Sequence, residues 1–159
     1  MKQEKSLIDE VRENSSEAAS CRRDIATLAT LGLVDFGLIS LFQLGAIRQL
    51  PDLPGKLFDT EKVNSSKDAV ILGLPDGVVS LGAYTATIGL ATAATRFRKQ
   101  SRVLDVALAG VLLGQAVGAA QYLMNMTAVQ KKVCIYCVAG AAINFAALKP
   151  LRRLLKRRD

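Results

Sequence analysis

Hydrophobic and polar residues are segregated along this chain into long blocks. Four apolar blocks, each bounded by charged residues, occupy residues 25–47, 78–95, 103–126 and 133–148. A hydrocarbon core about 30 Å thick requires roughly 20 helical residues, within a range of about 17–25. The first and third blocks meet that length, the second nearly does, and the fourth is short. The pattern predicts an all-α, integral membrane four-helix bundle whose last helix begins at the membrane surface.

A soluble four-helix bundle is the alternative, and its helices would carry a polar face at a spacing of 3.6 residues. The block interiors contain almost no charge, and Asp35 is the only carboxylate well inside one. The sequence therefore favours the membrane protein. We divide it into a polar cytoplasmic arm (1–24), a four-span membrane domain (25–148) with an outer loop (48–77), and a basic cytoplasmic tail (149–159).

The basic residues are distributed unevenly between the two sides of the predicted membrane domain. The net charge of +7 could suggest nucleic-acid binding, but the position of the charge is more informative than its sum. Fifteen of the 21 Lys and Arg residues lie in segments 1–24, 96–102 and 149–159, which four spans place on one side. This bias follows the positive-inside rule and predicts a multi-pass protein of the cell membrane with both termini cytoplasmic. We expect the tail to contact anionic membrane lipid, and we expect no nucleic-acid partner.

A Cys-x-x-Cys motif, Cys134 to Cys137, opens the last block on the predicted outer side, where disulfides form and persist. Such a pair can hold or release two electrons as a disulfide or a dithiol. The adjacent Lys131 and Lys132 and the start of a helix would favour a thiolate, more at Cys134 than at Cys137. The residues alone leave a redox pair, a structural disulfide and a metal site open. Zinc usually needs four ligands, whereas the chain has no histidine and one further cysteine, Cys21.

Several polar and small residues lie inside the predicted spans. Asp35 could form a structural hydrogen bond, with Gln115 at similar depth as its partner, or could supply protons to a reduced cofactor. Close packing of the third span against a neighbouring helix is predicted by a four-residue spacing of small residues, Gly110, Gly114 and Gly118. The outer loop is too long for a simple connector, and one use for it is a lid over the cysteine pair.

Four short sequences stand out in the membrane domain and outer loop: Lys-Val-Asn-Ser-Ser at 62–66, Leu-Gly-Leu-Pro at 72–75, Leu-Gly-Ala-Tyr at 81–84, and the cysteine motif. Their order and spacing, with four short spans, resemble the vitamin K epoxide reductase family, particularly its bacterial members. The resemblance extends over about residues 25–148.

The resemblance implies a four-helix bundle around a quinone pocket, with electrons passing from thiols to a menaquinone or ubiquinone. It implies that Cys134 and Cys137 are the catalytic pair, in which Cys134 exchanges disulfides and Cys137 faces the quinone. Ser66, with Ser65 beside it, and Tyr84 are the further candidates for quinone contact. A thioredoxin-like extracytoplasmic dithiol is the implied electron donor.

The chain departs from the family in its outer loop. Family members typically carry two more cysteines there, which relay electrons to the motif, whereas this loop has none and Thr60 takes the place of the nearer one. Ala141 stands where vertebrate members have a tyrosine, so quinone preference does not transfer. The first hypothesis is a membrane thiol:quinone oxidoreductase in which an accessible Cys134 takes electrons directly from an external dithiol. The second is a non-catalytic family member with a static disulfide, binding quinone or lipid.

Overall fold

The computed structural model describes residues 6–97 and 101–156. Parts of the predicted arm (1–5), of the basic segment 96–102 (98–100) and of the predicted tail (157–159) lie outside the described residues. The elements in chain order are α1 (Leu7–Glu13), α2 (Glu17–Gln43), α3 (Thr60–Asn64), a 3-10 turn (Lys67–Ala69), β1 (Val70–Ile71), β2 (Leu74–Pro75), α4 (Asp76–Arg96), α5 (Ser101–Met124), a π-helical turn (Asn125–Gln130) and α6 (Ile135–Lys156). The prediction of a helical protein is confirmed, since the strands of the described chain are one antiparallel pair of two residues each.

The four long helices are arranged so that each packs against two others. α2 packs against α4 and α6, and α5 packs against the same two helices. By length and composition, three of the described helices could cross a membrane: Glu17–Gln43, Asp76–Arg96 and Ser101–Gln130. α6 contains Pro150 and has Arg153 and Lys156 in its last turn. A fourth crossing by α6, and hence a bundle of four spans, stays a prediction.

α2 begins within the predicted arm, before the first apolar block. Its N-terminus is capped by Ser16, whose Oγ accepts a hydrogen bond of 3.2 Å from the Ala19 N–H. Arg22 in the second turn is buried and binds Asp105 of α5 through hydrogen bonds of 2.9 and 2.5 Å. These turns therefore belong to the packed helices. At the other end, α6 continues as a helix through the predicted tail as far as Lys156.

The buried apolar residues form two clusters at opposite ends of the long helices. The first lies at the Arg22 end and contains Cys21, Ile25, Ala91, Leu108, Ala109, Leu112, Ala147, Leu151 and Leu154. The second joins the outer loop to the cysteine motif and contains Ile39, Val63, Met126, Cys134 and Cys137. The second cluster places the two cysteines inside the protein.

Close helix packing occurs at a different glycine from those predicted. The three glycines of α5 are Gly110, Gly114 and Gly118. A Cβ added at any of them would meet no described heavy atom within 4 Å outside α5. The predicted packing at this stripe is therefore wrong. A Cβ on Gly140 of α6 would instead overlap the ring of Phe36 on α2, so this glycine allows the two helices to approach closely.

The predicted pairing of Asp35 with Gln115 is also wrong. Gln115 Nε2 donates to Thr87 Oγ1 of α4 at 3.0 Å, because α5 packs chiefly against α4 and α6 rather than α2. Among the described residues, the buried Asp35 Oδ2 has no hydrogen-bond partner. The alternative role for Asp35, as a proton source, stays a prediction.

Candidate active site

Cys134 and Cys137 form a disulfide at the start of α6. Cys134 directly precedes the helix, and its Sγ accepts a 3.1 Å hydrogen bond from the Cys137 backbone N–H, as a capping side chain does. Cys134 is 0% exposed and Cys137 is 7% exposed. The predicted helix start at the motif is confirmed. The expected accessibility of Cys134 is wrong, because the outer loop covers it.

The outer loop is connected by backbone hydrogen bonds to the residue that precedes the motif. Val133 N donates to Leu57 O at 2.9 Å, and Asp59 N donates to Val133 O at 3.1 Å. Next to this pair, Lys132 Nζ donates to Lys56 O at 2.6 Å and lies 3.8 Å from Asp59 Oδ2. These contacts bring α3 over the cysteines, so the loop has the covering position predicted for it.

Asn64, the last residue of α3, places its side chain against both sulfurs. It is 3% exposed, and its Nδ2 lies 3.2 Å from Cys134 Sγ and 3.8 Å from Cys137 Sγ. The same nitrogen donates to Thr60 O at 2.8 Å, and the backbone carbonyl of Asn64 accepts from Gln43 Nε2 at 3.2 Å. No role of its own was predicted for Asn64. The available signal was its place one helical turn after Thr60, the position where the family has a cysteine.

The two lysines before the motif contact groups other than the cysteine sulfurs, and their predicted effect on a thiolate stays a prediction. Lys132 binds Lys56 O and Asp59, and Lys131 is exposed in a left-handed conformation with φ 52°. Neither ammonium group has a contact with a cysteine sulfur among the described hydrogen bonds. Cys134 Sγ instead accepts from the Asn64 side chain and from the Cys137 backbone N–H. The backbone N–H of Cys134 donates to Met126 Sδ at 3.1 Å.

The two candidate serines follow α3. Ser66 Oγ donates to Val63 O at 2.7 Å and accepts from Gln130 Nε2 at 3.1 Å, which connects the end of α3 to the π-helical turn. Ser65 is exposed. Neither serine contacts a cysteine sulfur among the described contacts, so their role toward a quinone stays a prediction.

Tyr84 lies deeper among the helices than the cysteines do. Its hydroxyl donates to Asn144 Oδ1 at 3.0 Å, and Asn144 lies two turns after Cys137 on α6, or about 10 Å along the helix axis. Tyr84 and Asn144 line a cleft of about 410 Å³ between α4, α5 and α6. The rest of its lining is mainly apolar or small and includes Val79, Ala83, Gly110, Val111 and Gly114. Gly110 and Gly114, which lack packing partners on a neighbouring helix, therefore border this cleft.

Helices able to cross a membrane, combined with an enclosed Cys-x-x-Cys disulfide at a helix start, are typical of membrane thiol–disulfide oxidoreductases. Residues 24–149 match the Vitamin K epoxide reductase family, and the chain belongs to this family. The resemblance noted in the sequence is thus confirmed, and membership implies a membrane thiol–disulfide oxidoreductase. Comparison with curated proteins and with solved structures gave no match.

Proposed function

We propose that this protein passes electrons from an extracytoplasmic dithiol through the Cys134–Cys137 disulfide to a membrane quinone. The observation that carries the proposal is the position of the disulfide, enclosed between the outer loop on one side and the apolar helices on the other. Two N–H donors, from Asn64 and from the Cys137 backbone, lie within hydrogen-bond distance of Cys134 Sγ and would support a thiolate on that sulfur when the disulfide opens.

The exchange proceeds in two thiol–disulfide steps. A donor thiolate attacks Cys134 Sγ and forms a mixed disulfide, while the Cys134–Cys137 bond breaks and Cys137 retains the electron pair. The second donor thiolate then attacks the donor sulfur of that mixed disulfide, which closes the donor's own disulfide and releases Cys134 as a thiolate. Cys134 and Cys137 then form their disulfide again and release two electrons, which a bound quinone would accept together with two protons.

The cleft supports an apolar quinone as the acceptor. Its volume of about 410 Å³ falls within the range of small-molecule sites, and its walls offer apolar surface with a few polar groups. Within this proposal, Tyr84 and Asn144, which line the cleft, would orient the quinone. Cys137, Ser65 and Ser66 are not among the lining residues, so a quinone in the cleft would have to extend toward the cysteine motif to meet them. Menaquinone and ubiquinone both have the polar ring and apolar tail that such a lining accommodates.

The proposed orientation places the cysteine motif outside the cytoplasm. It rests on the excess of basic residues in segments 1–24, 96–102 and 149–159. In this arrangement α6 is the fourth span, both termini are cytoplasmic, and the basic tail contacts anionic lipid. A thioredoxin-like protein on the outer side is the proposed source of the dithiol.

Quinone reduction by the purified chain tests the proposal. We expect turnover with a membrane-permeant dithiol and either ubiquinone or menaquinone, and we expect its loss in Cys137→Ala and in Cys134→Ser. Cys21→Ser is the matched control, because Cys21 lies in the other buried cluster. A folded parent protein that reduces neither quinone would refute the proposed activity.

A static disulfide is the second candidate function. It is favoured by the complete burial of Cys134 and by the absence of cysteine from residues 48–77. Thiol labelling of membranes from cells with and without their quinone pool separates the two. A catalytic pair becomes reduced when the quinone is removed, whereas a static disulfide stays oxidised in both.

A further inference from the structure

Two N–H groups point at one sulfur of the disulfide. Asn64 Nδ2 lies 3.2 Å from Cys134 Sγ, and the Cys137 backbone N lies 3.1 Å from the same atom. A disulfide sulfur is a weak acceptor, whereas a thiolate is a charged one and gains much more from such donors. We propose that Asn64 is a catalytic residue of the exchange, whose side-chain N–H stabilises the thiolate of Cys134 when it is released. This inference rests on the proposed function.

The orientation of the Asn64 amide follows from its other partner. Nδ2 also lies 2.8 Å from Thr60 O, and a carbonyl oxygen can only accept a hydrogen bond. The nitrogen rather than the oxygen must therefore face both Thr60 O and the sulfur, and its two hydrogens suffice for one bond to each. Gln43 Nε2 donates to the backbone carbonyl of Asn64 at 3.2 Å, which holds the end of α3, while the bond to Thr60 O orients the side-chain amide. The donor is consequently fixed in place before the disulfide opens.

The site needs such a donor because Cys134 is fully buried. Burial away from water disfavours a thiolate, and Lys132, the nearest candidate cation by sequence, is bound to Lys56 O and Asp59. The start of α6 supplies one N–H and the positive end of its dipole. Asn64 supplies the remaining donor, and it does so from the turn of α3 that begins at Thr60.

The proposed role belongs to a defined step of the reaction. When the second donor thiolate attacks the mixed disulfide, the bond between the donor sulfur and Cys134 breaks and the electron pair leaves on Cys134. Hydrogen bonds from Asn64 and the Cys137 backbone N–H make Cys134 a better leaving group. The 3.8 Å separation of Asn64 Nδ2 from Cys137 Sγ gives the other thiolate weaker support.

The pH at which Cys134 forms a thiolate tests this inference without donor or quinone. We would follow the ultraviolet absorbance of the thiolate in the full chain carrying Cys137→Ala, with the Cys134→Ser, Cys137→Ala double variant as the blank. We expect a midpoint below the value of about 8.5 for a free thiol. Asn64→Ala and Asn64→Asp should each lower the thiolate fraction at a fixed pH below the midpoint by at least about tenfold, because a hydrogen bond to a charged group is lost.

Asn125→Asp is the matched control, since it adds the same carboxylate on the π-helical turn, where Asn125 makes no described hydrogen bond to sulfur. It should shift the midpoint much less than Asn64→Asp. A parent midpoint above about 8.5, or an unchanged midpoint in both folded Asn64 variants, would overturn the inference. If the protein reduces quinone but the midpoint of Cys134 thiolate formation is the same with and without Asn64, only this inference fails. If the titration depends on Asn64 but no quinone is reduced, the proposed function fails instead.

Discussion

Lys132 connects the outer loop to the segment that leads into the cysteine motif. Its Nζ donates to Lys56 O at 2.6 Å and lies 3.8 Å from Asp59 Oδ2. Because Cys134 is 0% exposed, a water-soluble reductant can attack it only when this part of the loop lifts. Lys132→Met keeps an aliphatic side chain but removes both contacts. We therefore expect this variant to be reduced faster than the parent.

The expected increase in the reduction rate follows from the two contacts that Lys132→Met removes. A hydrogen bond from a charged group contributes about 1.5–3 kcal/mol, and we take about 1 kcal/mol here because the Lys132 side chain is 26% exposed. An exposed ion pair adds about 0.5 kcal/mol. A loss of about 1.5 kcal/mol raises the population of the lifted loop about tenfold. The backbone hydrogen bonds of Val133 remain, so the closed loop still predominates.

The assay is the initial rate at which an uncharged, water-soluble phosphine reduces the Cys134–Cys137 disulfide, read by alkylation and mass spectrometry. An uncharged reductant avoids any change in electrostatic attraction when a lysine is removed. Lys131→Met is the matched control: it removes the same charge from an exposed neighbour whose side chain makes no hydrogen bond among the described residues, while its backbone N–H bond to Met126 O is retained. We expect about a tenfold increase for Lys132→Met and less than about twofold for Lys131→Met. Equal rates in the parent and Lys132→Met, or equal increases in both variants, would refute the reasoning.

Two further substitutions test the site and the helix packing. The thiol introduced by Thr60→Cys should attack Cys134 Sγ and form a disulfide with it, while the Cys134–Cys137 bond breaks and Cys137 leaves as a thiol, because one amide nitrogen lies 2.8 Å from Thr60 O and 3.2 Å from Cys134 Sγ; peptide mass spectrometry that finds a free thiol at 60 and an intact Cys134–Cys137 bond would contradict this. Gly140→Ala should lower the unfolding free energy by about 1–3 kcal/mol, since its Cβ would overlap the Phe36 ring. Gly114→Ala, which meets open space, should not lower the thermal transition, and equal transitions for the two variants would show that this contact is unimportant.

The long helices could be predicted from the sequence because a membrane imposes both length and apolar composition on a span. The helix ends were less predictable, because a charged residue in the local sequence indicates the end of an apolar block and not the end of the helix. Arg22 stands before the first apolar block, yet it lies inside α2, where Asp105 neutralises it at a distance of 2.5 Å. A partner 83 residues away compensates a charge that looks exposed in the local sequence.

The cysteine pair could also be predicted, because its spacing is local and a helix start followed from the apolar block. Asn64 could not, since its contact with Cys134 joins residues 70 positions apart and depends on how the outer loop folds back. Lys132 is a neighbour of the motif in sequence, but the contacts of its side chain could not be predicted. Its side chain extends to Lys56 O rather than to a sulfur, which sequence proximity does not indicate.

The outer loop both covers Cys134 and supplies its side-chain hydrogen-bond donor, so the roles assigned to Lys132 and Asn64 must be separable by experiment. A tenfold increase in a small lifted population leaves most molecules closed, with Asn64 still beside the sulfur. Lys132→Met should therefore accelerate reduction by the phosphine while leaving the pH of thiolate formation nearly unchanged. Asn64→Ala should move that pH, because the donor is lost in the closed state itself. If Lys132→Met moved the thiolate midpoint as far as Asn64→Ala, one displacement of the loop would explain both effects, and the separate roles would be wrong.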